Sequence, residues 1–61
     1  MKYLVIDFYE GREILYCGTD CAKARRIEKQ RIKDTDGECD TRFYDSFHQY
    51  AMFRKLKISI D

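Results

Sequence analysis

Leu4, Ile6 and Phe8 alternate with Tyr3, Val5, Asp7 and Tyr9 along the start of the chain. A period of two in β-branched and aromatic residues predicts a strand over residues 2–9 with one face in a core. Glu10-Gly11-Arg12 carries the glycine that tight turns favour, so residues 13–17 read as a second strand folding back antiparallel, ended by Gly18. The period then changes. Thr19 and Asp20 are N-cap candidates, because their side-chain oxygens can accept from the free amides of a first helical turn. Residues 20–34 contain no glycine or proline and are rich in Ala, Lys, Arg, Glu and Gln, all strong helix formers. At helical spacing Cys21, Ala24, Ile27, Arg31 and Ile32 gather on one side, and Arg25, Arg26, Lys29 and Lys33 on the other. The pattern predicts an amphipathic helix with a thin apolar stripe and a basic back.

Asp34-Thr35-Asp36-Gly37-Glu38 is a polar loop with an Asp-Gly turn signal. Residues 39–45 read as a third strand, with Thr41 and Phe43 on one face and Arg42 and Tyr44 on the other. Ser46 followed by Gln49 has the spacing of a capping box and predicts a short helix over residues 47–54. Leu56, Ile58 and Ile60 alternate with Lys55, Lys57 and Ser59, which predicts a lysine-guarded edge strand. The expected fold is therefore α+β: a small two-layer domain with an antiparallel sheet of three to four strands, β-β-α-β-(α)-β, and one main amphipathic helix on one face. By alternation, Leu4, Ile6, Phe8, Leu15, Cys17 and Phe43 should meet that helix. Tyr3, Val5, Tyr9, Ile14, Tyr16 and Tyr44 should form the opposite face, open unless the segment with Tyr50, Met52, Phe53 and Leu56 folds back over it.

Composition narrows this picture. Sixty-one residues make one domain with one small core, 44% hydrophobic and 15% aromatic, which argues against disorder. No run approaches a membrane-spanning length, and the apolar start is broken at once by Asp7, so neither a membrane span nor a signal peptide is expected. Three cysteines do not suit a closed disulfide framework; reduced thiols and a cytoplasmic location follow. Twelve basic residues against eleven acidic give a net charge of +1, too balanced for an avid non-specific polyanion binder.

The charges are segregated nonetheless. Arg25, Arg26, Lys29 and Lys33, with Lys23 beside them, could neutralise phosphates; the bland alternative is the wet side of a helix. Asp34, Asp36, Glu38 and Asp40 form an acidic stretch. It fits no EF-hand, having its glycine too early and no closing glutamate, but could steer a charged partner or imitate phosphate in a basic groove. Cys17, Cys21, Cys39 and His48 could supply four zinc ligands, although the eight residues between Cys39 and His48 exceed the usual spacing and free cysteines are commonly core residues. One histidine and three scattered glycines offer neither a nucleophile–base pair nor a phosphate loop, so no catalysis and no cofactor are expected.

The tyrosines carry the leading expectation: a small protein-binding regulator or inhibitor, dimeric, plugging a larger protein partner through Tyr3, Tyr9, Ile14, Tyr16 and Tyr44 with the acidic stretch setting orientation. Its compact format resembles that of single-domain inhibitors encoded by phages and mobile elements, though no motif carries that likeness. A nucleic-acid-binding module using helix 20–34 is the alternative, and a zinc-stabilised domain the third.

Overall fold

The computed structural model describes residues 1–59. The chain forms β1 (Tyr3–Asp7), β2 (Glu13–Gly18), α1 (Cys21–Asp34), β3 (Thr41–Asp45) and α2 (Tyr50–Lys55). The three strands make one antiparallel sheet in the order β2-β1-β3, a small α+β domain with one main helix.

Because β1 is central, it is covered on both faces. Leu4, Val5 and Ile6 are all fully buried, and a strand sealed on both faces no longer shows which side a helix takes. On β1 the helix takes the side opposite to the expected one, although Phe43 and Leu15 do meet it as expected. Val5 stands opposite Tyr16 on β2 and Phe43 on β3. The Tyr3 and Phe43 rings stack 5.8 Å apart, and the Arg25 guanidinium of α1 lies 3.6 Å from the centre of the Phe43 ring. α1 therefore rests on Tyr3, Val5, Asp7, Tyr16 and Phe43, with Ala24 buried against the sheet. Leu4 and Ile6 point the other way and close on Phe53 of α2, flanked by Phe8, Tyr44, Leu56 and Ile58.

A bulge in β2 adds a second departure. Val5 pairs with Tyr16 but Ile6 pairs with Ile14, so Leu15 has no partner on β1. An extra residue shifts the alternation: Leu15 joins Tyr16 on the α1 side, where it lines a groove with Ile27. Cys17, opposite Leu4, stays on the α2 side, so Leu15 and Cys17 do not share a face as strict alternation predicted.

Both helix ends follow local chemistry. The Asp20 carboxylate accepts from the Lys23 amide at 3.0 Å, the expected N-cap. At the C-terminus Gly37 N–H reaches the Ile32 carbonyl at 2.9 Å and Asp36 N–H the Lys33 carbonyl at 3.2 Å, which is a Schellman motif with Asp36 in the left-handed region at φ 54°. α2 ends the same way: Ile58 N–H bonds to the Phe53 carbonyl at 2.9 Å, Lys57 N–H to the Arg54 carbonyl at 3.0 Å, and Lys57 has φ 59°. Such a cap turns the chain, so Leu56 and Ile58 fold back on the core in place of the expected fourth strand. No fourth strand occurs among the described residues, and Ile60 of that expected strand lies outside them.

The expected capping box of Ser46 and Gln49 does not form. Ser46 Oγ accepts from the Lys2 amide at 2.8 Å instead of capping a helix. Asp45 takes the local role, its carboxylate accepting the His48 amide at 2.6 Å while its carbonyl accepts the Gln49 amide at 2.9 Å. The turn this makes delays α2, which starts at Tyr50 without a side-chain cap.

Candidate interaction surfaces

The five residues expected to form a tyrosine-bearing face are not brought together. Tyr3 lies under α1, stacked on Phe43; its burial, with Cys21 and Asp45 nearby, raises its phenol pKa. Tyr16 curls back so that its hydroxyl accepts the Asp20 amide at 3.1 Å, its ring 2.8 Å from where a side chain at Gly18 would begin. Tyr44 packs on the other face against the Leu4–Ile6–Phe53 cluster. Only Tyr9, in the hairpin turn, and Ile14, on β2, remain exposed.

Several members of the acidic stretch are committed locally. Asp34 accepts from Gln30 at 2.6 Å, Asp36 is the left-handed cap residue, and Asp40 pairs with Arg42 at 3.0 Å, raising the Arg42 pKa. Glu38 is exposed. The acidic group that matters most to the fold is Asp7, which has only 7% of its surface exposed. One of its oxygens accepts the Tyr9 and Asp40 amides at 2.9 and 3.0 Å; the other faces Arg31 at 3.5 Å. Those two amides and then the guanidinium hold its carboxyl below the usual range. Arg31, counted in the apolar stripe from its spacing, is thus an ionic latch, reaching Glu13 as well at 2.6 Å.

On α1, Arg25 is spent on Phe43 and on Glu28, 3.0 Å away. Arg26, Lys29 and Lys33 are exposed, and none of them makes an ion pair among the described residues. They form a free basic stripe along the outer side of the helix. Among the described residues no three His, Cys, Asp or Glu side chains converge as a metal site needs, so Cys17, Cys21, Cys39 and His48 do not come together. Cys17 and Cys21 are exposed. Cys39 sits between Thr35 and Thr41, whose hydroxyls lower its thiol pKa by hydrogen bonding to it. His48 pairs with Asp45 at 3.0 Å, which lowers the Asp45 pKa.

One surface was missed by reading the sequence. Phe47 is 72% exposed, Tyr50 50% and Met1 59%. The paired bonds between Lys2 and Ser46 set Met1 and Phe47 one residue beyond the same junction. His48 stands edge-on to Phe47 with the ring centres 4.8 Å apart, and Arg54 lies 5.8 Å from the Tyr50 ring centre. The sequence held one hint: Asp45 and Gln49, two places either side of Phe47, are polar, so Phe47 belongs to no alternating apolar face. No protein-family model, curated protein or solved structure matches the chain.

Proposed function

We propose that this domain is a non-catalytic, protein-binding regulator or inhibitor of the cytoplasm, and that the corner formed by Met1, Phe47, His48 and Tyr50 is its anchor on a larger protein. The observation that carries this reading is Phe47, a phenylalanine with 72% of its surface in water, set next to exposed Met1 by the Lys2–Ser46 pairing and edge-on to His48. Leaving an apolar ring of that size exposed forgoes on the order of 2 kcal/mol of burial. Aromatic side chains and arginine dominate binding hot spots. A photo-crosslinking phenylalanine analogue placed at position 47 should give one discrete protein adduct in cells producing the domain, and the same analogue at Lys29 should give none. Adducts of equal yield from both positions would defeat the reading.

The free stripe of Arg26, Lys29 and Lys33 favours a second reading, binding to nucleic acid through α1. Its mark would be an affinity for oligonucleotides that falls steeply with salt, by a slope of about 0.9 for each phosphate neutralised on a duplex. Replacing the three by Glu would abolish it, while Phe47→Ala would leave it unchanged.

A further inference from the structure

We infer that β2 is the seam of a two-fold homodimer, in which a second copy of this chain pairs antiparallel with its open edge. Strand order β2-β1-β3 leaves β2 with one neighbour only. An unpaired strand edge is a template for another strand unless the fold covers it. Nothing covers the outer edge of β2 among the described residues, and two of its side chains on the α2 side, Ile14 and Cys17, are exposed.

The bulge makes this strand self-complementary. From Glu13 to Cys17 the side chains point to the α1 side, the α2 side, the α1 side twice and the α2 side, and Gly18, opposite Tyr3, belongs to the α1 side again. That order is a palindrome about the Leu15–Tyr16 bond. In an antiparallel pair, residues directly opposite must share a face. A two-fold axis between Leu15 and Tyr16 satisfies this at every position. It sets Ile14 against Cys17 of the second copy, and Leu15 against its Tyr16. A strand of regular alternation could not be paired about that point without crossing faces.

The helix repeats the symmetry in charge. On the side of α1 that overhangs β2 lie Lys23, whose ammonium is 5.9 Å from the centre of the Tyr16 ring, and then Ile27, Gln30 and Asp34, which line a groove of about 240 Å³ with Leu15. The two-fold would run the α1 helices antiparallel on one face of a six-stranded sheet. Lys23 would then meet Asp34 of the second copy, and Ile27 would meet its Gln30, with both exchanges made twice. Opposite charges fall together at both ends, and Arg31, which lines the same groove, is already paired with Asp7 and Glu13 of its own chain. The groove over Leu15 would be closed by its own mate.

The test is sedimentation velocity of the full chain over a wide concentration range, with circular dichroism confirming that each variant is folded. The wild type should sediment as a dimer. Lys23→Glu and Asp34→Lys should each raise the dissociation constant about tenfold or more, because each places like charges together twice. Mixing the two variants in equal amounts, or combining them in one chain, should restore dimers, since opposite charges then meet again. A wild type that stays monomeric at the highest concentration would overturn the inference. So would single reversals that leave the dimer intact, or a mixture that remains monomeric while both variants keep the wild-type spectrum.

Discussion

The two faces of the sheet are closed by different means. On one, the fourteen-residue α1 seals Val5 with a single fully buried residue, Ala24, and does the rest with an arginine over Phe43, a lysine beside Tyr16 and the Arg31 bridge to Asp7 and Glu13. On the other, the six-residue α2 contributes Phe53, the largest fully buried side chain of the molecule, to a dry cluster with Leu4 and Ile6. The helix with the stronger local propensity thus supplies less of the apolar core. Propensity decides whether a helix forms, whereas burial is set by what the helix lands on, and most helix stability in proteins comes from that packing.

The sharpest way to break the comparison is Phe53→Ala. Truncating a buried phenylalanine costs about 3–5 kcal/mol, and a domain of this size holds about that much in all. Urea titration followed by far-ultraviolet dichroism should find the variant unfolded without denaturant. A variant that kept α1 and the sheet folded would show that the α1 face is sufficient alone. The corresponding blow to the α1 face is Asp7→Ala, which leaves the Tyr9 and Asp40 amides without their acceptor and Arg31 with one partner fewer. A fall in Tm of roughly 10 °C is expected by thermal melt.

Acid should act through the same group. Asp7 and Asp45 both have folded pKa values below the ordinary carboxylate range. Their contribution to stability is therefore complete above about pH 4 and is lost as pH falls through the lower folded values. Melts across this window should show wild-type Tm dropping more steeply than that of Asp7→Ala, which has lost one of the two titrating groups. Equal slopes would mean that Asp7 is not selectively stabilised in its charged form.

Gly18→Ala is the next smaller effect. Its new methyl would sit 2.5 Å from the Tyr16 hydroxyl, which is held by the Asp20 amide, so about 1–3 kcal/mol of overpacking is expected. In a Tyr16→Ala background the same change should be close to neutral, and a double-mutant cycle by urea titration reads the difference. Smallest, and stabilising, is Lys57→Gly. The left-handed conformation at φ 59° costs a side-chain-bearing residue about 1 kcal/mol relative to glycine. Chemical denaturation should show a gain in overall stability of up to that size.

Local chemistry made much of this legible without coordinates. α1 runs where its uninterrupted helix formers and Asp20 cap say it should, and the first two strands meet across the glycine turn. The misreadings share one cause: a local signal outvoted by a tertiary one. Ser46 looks like a cap until the Lys2 amide claims it, and Leu56 and Ile58 look like a strand until a left-handed lysine turns them onto the core. Among the candidate sites, the basic stripe of Arg26, Lys29 and Lys33 was visible because exposure on a helix follows from spacing. The tyrosine set failed as a surface because alternation says which residues share a face but not which face is covered.

The sequence by itself therefore determined β1, β2, α1 and β3, the β1–β2 hairpin and the basic side of α1, since these depend on neighbours within a few residues. Tertiary structure alone decided that α1 would lie on Val5 and α2 on Leu4 and Ile6, because both faces of β1 are apolar and either could have received the long helix. It also decided that Leu15 would slip out of register and that Phe47 would be left in water. Those last two choices, a bulge and a ring without a socket, are the features on which the proposed dimer seam and the proposed anchor rest.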